Sequence, residues 1–170
     1  MYDLISLIKI IEDTVVDGPG FRLSLYAAGC VHHCNGCHNP LSWEFKNGQL
    51  YSTDELMERI NRSISNITFS GGDPFCQADA FARLARKIKE KSDKTIWCYT
   101  GYQYEALLQN ESYRKLLQYI DVLVDGPYIA ERQNKNLIFR GSDNQRLIDV
   151  RQSLQEKQVV IFDYQPLPVF

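Results

Sequence analysis

The sequence predicts an α/β chain built on a parallel sheet, and three observations predict it. Short apolar runs recur at RLSLYAA (22–28), ITFS (67–70), TIWCY (95–99) and DVLV (121–124), each bounded by glycine or polar residues. Between them lie stretches whose apolar residues repeat with a helical period, and strand alternating with helix is the pattern of right-handed parallel crossovers. A chain of 170 residues, 44% hydrophobic and 24% charged, has the makeup of one globular domain with a substantial core.

The elements follow in order. The opening segment MYDLISLIKIIEDT has Asp3 where a secretory signal carries basic residues, and Ser6 and Lys9 interrupt its apolar stretch. No apolar run reaches the length of a membrane span. These features lead to the expectation of a cytoplasmic, reducing location, where clustered cysteines point to metal or redox chemistry before disulfides. The first buried strand, 22–28, runs into Gly29. TDELMERINRS (53–63) is a helix with Ser52 or Thr53 as N-cap and Leu56, Ile60 and Ile64 on one face. The second strand ends in SGGDP (70–74). QADAFARLARKIKEK (77–91) carries a stripe of Phe81, Leu84, Ala85 and Ile88, with basic residues gathered where the helix dipole favours them. The third strand leads to Thr100-Gly101-Tyr102. YEALLQNESYRKLLQYI (104–120) reads as one helix or two short ones, and the fourth strand runs into Asp125-Gly126-Pro127. VDGP occurs twice, at 16–19 and 124–127, without similar flanks, so turn chemistry explains it better than duplication. FDYQPLPVF (162–170), with two prolines, is expected to be an extended tail on the surface.

Chemistry collects after the strands. The C-terminal edge of a parallel sheet is where ligands bind, and here four such ends carry GCVHHCNGC (29–37), SGGDP, TGY and DGP. Cys30, Cys34 and Cys37 would form a stripe on a helix, but Gly29, Asn35-Gly36 and Asn39-Pro40 oppose one, leaving a loop whose thiols can surround a common centre. One candidate occupant is structural zinc, with His32, His33 or His38 as fourth ligand, although no second CxxC or HxxxH pair follows. The other is a four-iron, four-sulfur cube, on which three thiolates leave one iron open to a cofactor or substrate. A net charge of −2 gives no basic surface for nucleic acid or anionic lipid.

C-x3-C-x2-C after a strand resembles the signature of the radical S-adenosylmethionine superfamily. With SGGDP, DGPGFR (17–22), WCYTGY (97–102), VLVDGPY (122–128) and FRGSDNQR (139–146), the chain resembles the glycyl-radical enzyme activases that serve anaerobic ribonucleoside-triphosphate reductase, over about residues 10–150. That resemblance implies that Cys30, Cys34 and Cys37 hold a 4Fe-4S cluster whose open iron takes S-adenosylmethionine. It implies that Gly36, Cys37 and His38 supply backbone near the adenine, that Asn39 bonds the nucleoside or sets the turn before Pro40, and that Ser70, Gly71, Gly72 and Asp73 serve the methionine end. Thr100 would face the cavity. Reductive cleavage would give a 5′-deoxyadenosyl radical that takes hydrogen from a glycine of the reductase, with a reduced flavodoxin- or ferredoxin-type protein as electron donor. Gly36 stands where many superfamily members have an aromatic residue, which favours the reductase activases over those of pyruvate formate-lyase. Activation of another such enzyme and a non-enzymatic zinc-binding module are the alternatives. The fold implied is an incomplete TIM-like β/α barrel of the radical SAM type, one domain over 1–170, because full barrels need at least about 200 residues; its missing strands would form the entrance.

His32 and His33 are expected to be bystanders, Trp97 and Tyr99 core, and Cys76 and Cys98 small buried residues. Asp125 and Arg140 stand equally as cofactor contacts or as a structural ion pair.

Overall fold

Short, largely apolar runs suit strands covered on both faces. The computed structural model, which describes residues 3–166, places all four such runs in one sheet. Its strands are β1 (Leu4–Thr14), β2 (Arg22–Ala27), β3 (Gln49–Ser52), β4 (Asn66–Gly71), β5 (Ile96–Tyr99), β6 (Val122–Asp125) and β7 (Arg146–Asp149), in the order β3-β1-β2-β4-β5-β6-β7. The central neighbours β2, β4, β5 and β6 are parallel. The edges are not: β1 runs antiparallel to β2 and β3, and β7 antiparallel to β6.

Alternation across the strands sorts the core into two faces. Leu23, Leu25, Ile67, Phe69, Ile96 and Cys98 pack with helices α1 (Thr53–Arg62), α2 (Ala78–Lys91) and α4 (Glu111–Leu117). Trp97, Val122, Val124 and Leu147 form a second cluster on the opposite face, against Tyr99, Phe139 and Phe162. The intervening residues of β2 and β4 on this side are Arg22, Ser24 and Thr68, all buried. Arg22 donates to Thr68 Oγ1 at 3.1 Å and to the Ile67 carbonyl at 2.5 Å. Burial lowers its guanidinium pKa to about 10.

The helices follow their end signals, with one correction. α1 begins with a capping box, Ser52 and Glu55 satisfying each other's backbone N–H groups, worth about 1 kcal/mol. It stops at Arg62, so Ile64 is not on its apolar face and is 93% exposed. The segment 104–120 is two helices, α3 (Tyr104–Leu107) and α4, because the Asn110 side chain accepts from Tyr113 N and starts a new one. α5 (Val150–Glu156) follows β7. At the tail, Phe162 N donates to Leu147 O at 2.8 Å and its ring meets Trp97 edge-on, so the segment packs on the sheet through residue 162. Residues 167–170 of the expected tail lie outside the described residues.

Candidate functional site

Because β2, β4, β5 and β6 are parallel, their C-terminal ends share one edge of the sheet, and a cavity of about 250 Å³ opens there. Cys30, Cys34 and Cys37 line it from the loop after β2. Ser70, Gly71 and Gly72 reach it from β4, and Thr100 from β5, as the sequence led us to expect. His38 lines it as well. The expected residues Gly36, Asn39 and Asp73 do not line this cavity. Gly36 sits on an exposed turn with φ +74°, and Asn39 lines a neighbouring cavity beside Lys9 and Tyr26.

The cysteine loop is held from both sides. Gly29 N donates to Ser42 O at 2.7 Å, Cys30 N to Trp43 O at 3.0 Å, and Cys37 N to Cys34 O at 3.1 Å, closing the turn at Asn35-Gly36. The turn after β4 presses against it so tightly that a β-carbon on Gly72 would lie 2.5 Å from the Gly29 carbonyl. The three thiols are free and half-buried. Burial is the main cause that pushes the Cys30 thiol pKa up.

Asp73 caps the turn that follows β4, which its place after the strand also allows. Its carboxylate is fully buried and accepts from Phe75 N at 2.9 Å, Thr100 Oγ1 at 2.8 Å and Gly101 N at 3.0 Å, with His32 Nε2 at 2.7 Å. A carboxylate so engaged caps the turn at Pro74–Gln77 and ties three strand-end loops together beside the cavity. His32 is therefore no bystander. Its ring meets Tyr102 edge-on and lies where a β-carbon on Gly101 would come within 2.5 Å. Sequence reasoning missed it because its partner stands 41 residues away.

The other histidines are engaged too: His33 stacks on Trp43 at 4.5 Å and His38 meets Tyr128 edge-on at 5.2 Å. Among the described residues no three His, Cys, Asp or Glu side chains converge on a centre the size of one ion. Three free thiols lining one cavity are a donor set that suits a cube of iron and sulfide, which is ligated at separate corners.

The chain matches the family described as a 4Fe-4S single cluster domain over residues 16–148. It is 41% identical over 141 residues to the anaerobic ribonucleoside-triphosphate reductase-activating protein of Vibrio cholerae, covering 77% of this chain and 89% of that one. The proteins of the same name from Enterobacteria phage T4 and Haemophilus influenzae are 40% and 39% identical, covering 78% and 77% of this chain and 86% and 89% of theirs. The chain belongs to this activating-protein family.

Every residue lining the cavity, from Cys30 to Gln145, falls within the span that this family shares. Two of the polar residues singled out in the sequence have structural partners. Asp125, 1% exposed, pairs with Arg146 through two bonds of 3.0 and 2.5 Å and accepts from Tyr104 N at 2.8 Å. Its partner is Arg146 and not Arg140, whose Nη1 donates to the Gln145 carbonyl at 3.2 Å. Cys98 is fully buried, and Cys76 has its pKa raised to about 11 by burial and by Asp73. Tyr99, expected in the core, does border the second cluster but also lines the cavity, as do Trp43 and Tyr128. No described helix is long and apolar enough to cross a membrane.

Proposed function

We propose that this chain activates anaerobic ribonucleoside-triphosphate reductase by installing a glycyl radical on it, holding a 4Fe-4S cluster on Cys30, Cys34 and Cys37 and S-adenosylmethionine in the adjoining cavity. The observation that carries this reading is the shared cavity: three free thiols and the ends of the parallel strands border it. When bound, the cluster supplies one electron, drawn from a reduced flavodoxin- or ferredoxin-type donor, that splits the sulfonium into methionine and a 5′-deoxyadenosyl radical, which becomes 5′-deoxyadenosine by taking hydrogen from a glycine of the reductase.

The chain's own residues do the positioning. The thiols bind as thiolates, so loading releases their protons. Gly71 and Gly72 let a ligand approach the backbone closely. Asp73 fixes Thr100 and Gly101, so that the third wall is set before a ligand arrives. The named helices pack on one face and the cavity opens at the sheet's edge, which suits an incomplete TIM-like barrel of a single domain over 1–170. We read its unclosed side as the entrance for a protein loop of the reductase, and the cytoplasm as its location.

The test is anaerobic purification followed by reduction with S-adenosylmethionine and candidate partners, with electron paramagnetic resonance as readout. The expected result is about four iron and four sulfide per chain and a glycyl radical on anaerobic ribonucleoside-triphosphate reductase. A colourless protein holding one zinc overturns the enzyme reading. A radical formed only on a pyruvate formate-lyase type partner overturns the choice of substrate.

A further inference from the structure

We infer that Tyr128 is the aromatic wall against which the purine of an adenosine-containing cofactor packs. The inference rests on the reading above that this cavity takes S-adenosylmethionine, and it adds the side chain that positions the heterocycle.

Tyr128 follows the Asp125-Gly126-Pro127 turn after β6 and lines the cavity together with Cys34, Cys37 and Gly141. Its ring is seated between glycines. A β-carbon on Gly141 would lie 3.0 Å from Tyr128 Cδ2 and 3.2 Å from Cε2, and one on Gly36 would lie 3.6 Å from Cε1 on the other edge. His38 approaches the same ring edge-on, with centroids 5.2 Å apart and planes at 64°. The ring thus lies between the cysteine loop and the loop after β6; a β-carbon at Gly141 would crowd it, whereas one at Gly36 would make only an ordinary contact with it.

The backbone around Tyr128 is pinned on both sides by the segment that precedes β7. Gln145 Nε2 donates to Gly126 O at 3.1 Å, Asn144 Nδ2 to Pro127 O at 2.8 Å, and Ser142 Oγ accepts from Ile129 N at 3.2 Å. Gln145 Oε1 in turn accepts from Gly141 N at 2.9 Å, so one side chain braces both the tyrosine's turn and the glycine against its ring. An aromatic ring held this way loses little freedom when a ligand binds.

A planar heteroaromatic group is the ligand that such a wall serves. Rings stack face to offset face, and this attraction requires no hydrogen-bond pattern on the partner. Five glycines line the cavity, at 71, 72, 101, 126 and 141, which leaves flat surfaces where side chains would intrude. Cys34 and Cys37 border the same space, so a purine beside Tyr128 is within the reach of one small molecule from the thiols.

The experiment is isothermal titration of the cluster-loaded, unreduced full chain with S-adenosylmethionine, and separately with methionine. Iron and sulfide are measured on every variant. Tyr128→Phe is expected to bind S-adenosylmethionine within about twofold of the parent chain. Tyr128→Ala and Tyr128→Leu, the latter keeping bulk without a ring, are expected to weaken it about tenfold or more with methionine binding unchanged. Parent-like affinity in Tyr128→Leu with its cluster intact overturns the inference alone. Failure of the parent chain itself to bind S-adenosylmethionine overturns the reading beneath it as well.

Discussion

His32 Nε2 lies 2.7 Å from Asp73 Oδ2, joining the cysteine loop to a buried carboxylate in the turn after β4. The same oxygen accepts from Thr100 and from Gly101 N beyond β5, so three strand-end loops meet on one charge. His32, Thr100 and Gly101 also line the cavity, so this junction fixes part of its wall.

Removing the carboxylate strands its donors. In Asp73→Ala the Phe75 and Gly101 N–H groups, the Thr100 hydroxyl and the His32 ring all lose an acceptor. Unpaired buried donors cost about 1–3 kcal/mol each, so a loss of at least about 3 kcal/mol in urea unfolding is expected. Asp73→Asn keeps one acceptor oxygen and is expected to lose less. A change below about 0.5 kcal/mol in Asp73→Ala contradicts the junction.

His32→Ala removes one spoke and leaves the hub. Global stability is expected to fall by about 1 kcal/mol, while the cysteine loop loses its side-chain tie to Asp73. The cluster should then be lost several-fold faster to an iron chelator, followed by the decay of its visible absorbance. An unchanged rate removes the clamp from the account.

Arg146 sits between two carboxylates of unequal burial. Its partner Asp125 is 1% exposed, whereas Glu105 is 56% exposed. Arg146→Ala leaves Asp125 charged and buried, and about 3 kcal/mol of destabilisation is expected. Glu105→Gln is expected to cost under about 1 kcal/mol. The hydrogen bond from Arg146 is the leading cause that holds the Glu105 carboxyl below its ordinary pKa. A lowered folded value means that its contribution is fully present above the unfolded pKa of about 4.3 and is lost as pH falls through the folded value. Parent and Glu105→Gln curves should run parallel near neutral pH and converge in acid; convergence above pH 6 would reverse the sign.

Cys76 is expected to be a poor nucleophile. Burial first, and then Asp73, push its thiol up to about 11, so about one molecule in a thousand carries the thiolate at pH 8. Alkylation of Cys76, followed by mass spectrometry of the loaded protein, should accelerate about tenfold per pH unit below that value. Labelling at pH 7 as fast as a free cysteine refutes the burial argument.

Sheet centre and site were legible to different depths. The strands β2, β4, β5 and β6 announce themselves because burial on both faces leaves short, largely apolar runs bounded by glycine or polar residues. β1 does not: only Ile5, Ser6 and Leu7 are buried, its pairing with β2 shifts register twice, and its mixed LISLIKIIEDT reads as no clear period. β3 (QLYS) and β7 (RLID) are edge strands that mix polar with apolar residues and are only partly buried, so no apolar run marks them. The cysteine loop was legible because thiol spacing is local. Asp73 was legible as the cap of the turn after β4, but not its ties to Thr100, Gly101 and His32, which come from other strand ends. His32, Arg146 and Tyr128 act through partners distant in the chain, and no local period or spacing reports such pairs.

Mössbauer spectroscopy of the protein loaded with isotopically enriched iron, before and after S-adenosylmethionine is added, tests the three-thiolate cluster most directly. The account predicts that one iron of the cube changes its environment while the other three do not. Four irons that all ignore the addition, or a protein that retains a full cube after Cys37→Ala and still makes a glycyl radical, would contradict it.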